Sequence, residues 1–88
     1  MPPQTLTFLV IPAQQVEVRL DNEGSPAYLR GGPLVGEVEP VSHWRAELDW
    51  WDHPVDRDYW KVLLSGRLLC ELYQDRAEGT WFVERVYD

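Results

Sequence analysis

The 88 residues, 44% hydrophobic and 26% charged, predict one globular domain over residues 1–88 and exclude an intrinsically disordered chain. Fifteen acidic residues against eight basic ones give a formal net charge of −7, which disfavours direct nucleic-acid binding because that binding depends on neutralising phosphates. The single cysteine, Cys70, excludes an intramolecular disulfide and a zinc site built from several thiolates.

The N-terminal segment carries the first apolar run. Leu6–Pro12 is apolar but far too short to span a bilayer, and no basic segment precedes it. We therefore expect no secretory signal, no membrane span and a cytoplasmic protein.

Alternation of apolar and polar residues dominates the rest of the chain, and this period of two is typical of half-buried β-strands. Residues 51–58 contain Pro54 and several aspartates, so we expect an ordered loop there, with one short helical turn near Asp52–Arg57. The sequence predicts an all-β fold, a single antiparallel sheet of about six strands curled towards a small barrel. The predicted strands are Gln15–Leu20, Ala27–Arg30, Leu34–Val41, Ser42–Trp50, Tyr59–Leu64, Leu68–Gln74 and Thr80–Tyr87.

The hairpin around Gly66 has a register that the sequence determines. If Val62 lies opposite Cys70, one face of the hairpin is wholly apolar. Lys61 then lies opposite Glu71, a favourable pair of opposite charges. A turn shorter by one residue would mix apolar and charged side chains on both faces, so we expect the first register.

The second face of this hairpin is also largely apolar, because Tyr59, Leu63, Leu69 and Tyr73 surround the one ion pair. Either the protein's own chain or a partner protein must cover such a face, since exposed apolar patches often mark interaction surfaces. In addition, the neighbours in Trp50-Trp51 and Trp81-Phe82 must point to opposite faces of their strands, so we expect one of each pair near the surface.

Catalytic and metal-binding constellations are weak. Asp49, Asp52, His53, Asp56 and Asp58 are close in sequence, but their spacing fits no calcium loop, and Arg57 lies among them and can neutralise them. The other candidate groups, His43, Ser65 and Cys70, lack a recognisable base or nucleophile partner. We therefore expect no metal, no cofactor and no enzymatic activity.

Several short motifs from the centre to the end of the chain occur together. They are His43-Trp44-Arg45, Trp50-Trp51, Asp56-Arg57-Asp58-Tyr59-Trp60-x-Val62, Leu72-Tyr73-x-Asp75, Gly79-x-Trp81-Phe82-Val83 and Val86-Tyr87-Asp88. This set resembles the extreme C-terminal region of ImuB proteins, the Y-family-polymerase-like accessory subunits of bacterial mutagenic translesion synthesis. The resemblance implies DNA-damage tolerance, with binding to an error-prone polymerase subunit, to a RecA-like accessory protein, or to both. It implies no catalysis.

The sequence thus predicts a protein-interaction module linked to translesion synthesis, with Trp51, Arg57, Tyr59 and Tyr73 as the residues that contact the partner. Two alternatives stay open. One is a small β-barrel that binds single-stranded nucleic acid through surface aromatics, and the other is a small ligand-binding or enzymatic barrel.

Overall fold

The computed structural model describes residues 7–48 and 55–87, with side chains described for 12–47 and 55–87. All regular structure in these residues is β, which confirms the predicted fold class. No helix able to cross a membrane occurs in the described ranges. The six strands are β1 (Thr7–Leu20), β2 (Pro26–Gly31), β3 (Leu34–Leu48), β4 (Val55–Leu64), β5 (Leu68–Asp75) and β6 (Trp81–Tyr87).

The strands form a closed antiparallel ring in which each strand pairs with the next and β6 pairs with β1. The two longest strands, β1 and β3, each take part in two sides of the ring. Residues 7–16 and 38–48 border a five-stranded side with β4, β5 and β6 between them. Residues 17–20 and 34–37 flank β2 on a three-stranded side.

The third strand differs from the prediction. Leu34–Val41 and Ser42–Trp50 were expected as two strands, whereas Leu34–Leu48 is continuous. Its pairing with β4 shifts between Pro40 and Ser42, where a β-bulge accommodates the proline that lacks a backbone N–H. The break in alternation that the sequence shows here is therefore a bulge and not a turn.

The predicted loop after Trp50 is also partly wrong. Residues 55–58 belong to β4 and pair with the end of β3, so the helical turn expected near Asp52–Arg57 is not formed over 55–57. Cross-strand ion pairs stabilise this part of β4, as described below. Residues 49–54 lie outside the described ranges.

The hairpin around Gly66 has the predicted register, with Val62 opposite Cys70 and Lys61 opposite Glu71. Its turn places Ser65 and Gly66 at φ 53° and 72°. The backbone N–H of Arg67 donates to the carbonyl of Leu64 at 3.1 Å and closes the turn. The chemistry of the two faces was thus sufficient to fix the pairing.

The core lies inside the ring, between the five-stranded and three-stranded sides. Two glycines lie where β1 and β3 continue from one side of the ring to the other, and neither position has room for a side chain. A Cβ at Gly31 would lie 2.4 Å from Val16 Cγ1, and a Cβ at Gly36 would lie 2.3 Å from Ser65 Oγ. The buried apolar residues of this core are Val16, Leu29, Val38, Val62, Leu64, Cys70, Leu72, Trp81 and Val83.

Candidate functional site

The outer surface of the five-stranded side carries four aromatic residues in line, one from each of four neighbouring strands. We call Trp44, Tyr59, Tyr73 and Phe82 the aromatic row. Register places them together, because Tyr59 pairs with Trp44 on one side and with Tyr73 on the other, and Tyr73 pairs with Phe82. The successive ring centroids are 5.4, 5.4 and 5.1 Å apart. Cross-strand aromatic pairs of this kind stabilise a sheet surface.

Arg57 lies on the same outer surface and covers the centre of the row. Its Cζ is 4.2 Å from the centroid of Tyr73, a cation–π arrangement. Its Nη1 donates to Tyr59 Oη at 3.2 Å. The guanidinium therefore links two rings of the row and contributes to the burial of Tyr73, which is only 7% exposed.

Burial raises the pKa of the Tyr59 and Tyr73 phenols above their usual range, and the Glu84 carboxylate raises both further. Arg57 acts in the opposite direction on both groups. The two hydroxyls are therefore protonated at neutral pH. The Oε2 atom of Glu84 is buried and has no hydrogen-bond partner among the described residues.

Next to the aromatic row runs a line of charged residues, again one from each neighbouring strand. Glu71 lies between Lys61 on β4 and Arg85 on β6 in the register of the sheet. Arg85 Nε is 3.3 Å from Glu71 Oε2, and Lys61 Nζ is 4.9 Å from the centroid of the Tyr87 ring. Burial nevertheless raises the pKa of Glu71, although Arg85 and Lys61 oppose that effect.

The structure brings together three of the four residues predicted to contact a partner. Arg57, Tyr59 and Tyr73 are in mutual contact on the outer surface. Trp51 lies outside the described ranges. Sequence reasoning missed Trp44 and Phe82 as members of the same site. The signal available for Phe82 was its expected orientation opposite to Trp81, which is confirmed because Trp81 is 8% exposed and belongs to the core.

The outer surface is only partly covered by its own side chains. Tyr59, Leu63 and Leu69 are half-buried, and Trp44 is 39% exposed at the end of the row. Every described strand belongs to the ring, so none lies across the outer surface. Among the residues that the structure describes, side-chain contacts within the surface bury Tyr73 but leave the rest of this face partly accessible to solvent.

The opposite face of the same part of β3 and β4 is polar. Here Arg45 pairs with Asp56 at 3.2 Å, and Arg76 Nε lies 3.9 Å from Asp58. The prediction that Arg57 neutralises these carboxylates is wrong, because Arg57 points to the outer surface and Arg45 and Arg76 take that role. No group of three or more His, Cys, Asp or Glu side chains within 7–48 and 55–87 is arranged to hold a metal ion.

Two potential reactive groups have defined surroundings. The exposed side chain of His43 stacks on Trp60 with the ring centroids 3.8 Å apart. Its Nε2 lies 3.7 Å from Asp58 Oδ1. Cys70 is fully buried, and burial raises its pKa to about 11. Neither residue lines the surface depressions beside Gly66, Gly32 and Tyr28.

Comparison of the chain with protein-family models, with curated proteins and with solved structures gives no match.

Proposed function

We propose that this protein is a non-catalytic module that binds another protein through the aromatic row and Arg57. The observation that carries the proposal is the position of four aromatic side chains side by side on an outer surface that none of the described strands covers. Aromatic and arginine side chains supply most of the binding energy at protein interfaces. Trp44, at the exposed end of the row, is suited to anchor a partner.

Two features favour a protein partner over single-stranded nucleic acid. Bases stack on free ring faces, but Tyr73 already has Tyr59 and Phe82 beside it and Arg57 over its ring. The net charge of −7 also repels phosphates. An apolar protein segment needs neither a free ring face nor a basic surface.

The proposed biological context is bacterial translesion synthesis, with an error-prone polymerase subunit or a RecA-like accessory protein as the partner. This part of the proposal rests on the resemblance to the C-terminal region of ImuB proteins. The structure supports this context in one respect: all four members of the aromatic row, and Arg57, fall within the motifs that carry the resemblance. The residues that resemble the family are therefore also the residues that form the surface.

The test measures binding of purified candidate subunits of both kinds to the wild-type chain and to Trp44→Ala and Tyr59→Ala. Truncating an interface anchor costs about 2 kcal/mol or more, which is roughly a thirtyfold rise in Kd. Val35→Ala is the matched control, because Val35 is 51% exposed but lies at the other end of β3. Equal affinity for all four proteins would exclude the row as the contact surface.

The same preparations distinguish the competing class. A fluorescent single-stranded oligonucleotide is titrated at low ionic strength and again at physiological ionic strength. Binding that weakens steeply with salt, and that is lost in Tyr59→Ala, would favour a nucleic-acid-binding role instead. We expect no binding at either ionic strength.

A further inference from the structure

Within the part of the chain that the structure describes, the third strand is paired on one side only along most of its length. It pairs with β2 only over residues 34–37 and with β4 over residues 38–48. Over 38–48 the side of the strand that faces away from β4 therefore meets no described strand. We call this side the β3 edge. Residues 39–45 and 47 are exposed, so no other part of the described chain packs against most of the β3 edge.

Beyond the bulge the β3 edge carries no proline and only charges that a second copy can complement. Proline, β-bulges and charged side chains normally block such edges, but here the proline and the bulge both lie at residues 40–42. The following residues 42–47 contain no proline, and their two charged side chains have opposite signs. Arg45 Nε lies 2.7 Å from Glu47 Oε1 on one face of the strand, while Trp44 and Ala46 lie on the other.

We propose that a second copy of this chain adds to the β3 edge as an antiparallel strand, with Ala46 opposite the second copy's Ala46. Antiparallel pairing of one edge with itself generates a two-fold axis, the commonest symmetry of protein dimers. The pairing continues the five-stranded side of one copy into that of the other.

Charge selects this register. With Ala46 on the two-fold axis, Arg45 of each copy lies opposite Glu47 of the other, which gives two favourable cross-strand pairs. Centring the axis on Arg45 would place two guanidinium groups opposite each other, and centring it on Glu47 would do the same with two carboxylates. A shift by a single residue would set Trp44 against a charged side chain. The smallest side chain of the segment therefore lies on the axis.

The test uses the full chain and two charge-reversal variants, Arg45→Glu and Glu47→Arg, studied by sedimentation velocity from micromolar to near-millimolar concentration at physiological ionic strength. The wild type is expected to dimerise as its concentration rises. Each variant alone is expected to dimerise about tenfold more weakly or worse, because two attractive pairs become repulsive. A mixture of the two variants restores dimerisation, since every cross-strand pair is again of opposite charge.

The mixture distinguishes a loss of dimerisation from a loss of folding. Each variant lacks the ion pair between residues 45 and 47 of its own chain, and mixing restores only the pairs between chains. Val35→Ala is the control that should behave as wild type. A wild type that stays monomeric at every concentration, or a mixture that stays monomeric while wild type dimerises, would overturn the proposal. These results leave the proposed function unaffected, because partner binding by the aromatic row is measured with other variants and other proteins.

Discussion

The guanidinium carbon of Arg57 on β4 lies 4.2 Å from the centroid of the Tyr73 ring on β5, so this contact joins two neighbouring strands on the outer surface. Because the same guanidinium donates to Tyr59 Oη, its removal leaves a tyrosine ring uncovered and a hydroxyl without its donor. Arg57→Ala is expected to lower the free energy of unfolding by about 1–2 kcal/mol. Arg57→Lys retains the charge but not the planar stack, so we expect an intermediate loss.

Urea denaturation followed by far-ultraviolet circular dichroism measures both losses. Arg67→Ala is the matched control, because Arg67 is exposed in the turn of the Gly66 hairpin, far along β4 from Arg57. If Arg57→Ala and Arg67→Ala unfold at the same urea concentration, the contact between Arg57 and the two rings contributes nothing to stability.

The Gly66 hairpin shows what the sequence could predict. Its register was readable because a slip by one residue exchanges apolar and charged side chains between the faces. The joining of two predicted strands into β3 was not readable, because a bulge at Pro40 and a turn interrupt alternation in the same way. Closure of the ring by β1 and β6 depends on residues far apart in sequence, which local periodicity does not report.

The candidate site was predictable to the same extent. Tyr59 and Tyr73 were found because they face each other within the one hairpin whose register was determined. Trp44 and Phe82 join the row only through the pairings of β3 with β4 and of β5 with β6. Both pairings contain a register shift, between Pro40 and Ser42 and between Glu71 and Leu72, and such a shift changes which residues lie opposite each other along the strands.

Cys70 provides a probe of global unfolding. Its side chain is fully buried, and burial raises the pKa of the thiol to about 11, so both access and thiolate formation are suppressed at neutral pH. We expect the native protein to react with a disulfide reagent such as DTNB only through unfolding, and the urea-denatured protein to react at once. In Glu78→Cys, which adds a thiol in an exposed turn, one thiol should react immediately and the other slowly. Rapid reaction of Cys70 in the native wild type would contradict its placement in the core.

Glu71 predicts a pH-dependent effect on stability. Because burial raises its pKa in the folded protein, the folded state binds this proton more tightly than the unfolded state does. The resulting stabilisation is greatest below the pKa that Glu71 has in the unfolded chain. It is lost as the pH rises through the higher pKa that Glu71 has in the folded protein. At neutral pH the carboxylate is therefore a net cost that Arg85 only partly offsets.

Glu71→Gln should accordingly unfold at pH 7 with a free energy equal to that of wild type or higher by up to about 1 kcal/mol. The difference should disappear at acid pH, where wild-type Glu71 is protonated. Urea denaturation of both proteins across this range measures it, with Glu78→Gln as the exposed control. A variant that is clearly less stable than wild type at pH 7 would show that the ion pair with Arg85 outweighs the burial.

The close approach of Gly31 to Val16 is open to a test by compensating substitutions. A Cβ at Gly31 would lie 2.4 Å from Val16 Cγ1 and 3.1 Å from the Val16 Cα, so Gly31→Ala should cost about 1–3 kcal/mol through overpacking. Val16→Ala removes the nearest atom, and the double variant should be more stable than the sum of the single losses predicts, by about 0.5–3 kcal/mol. Gly24→Ala is the control, because at φ +83° it is strained but has no atom within 4 Å, so Val16→Ala cannot relieve it. Simple additivity of Gly31→Ala and Val16→Ala in urea denaturation would mean that β1 and β2 do not meet there as closely as the fold requires.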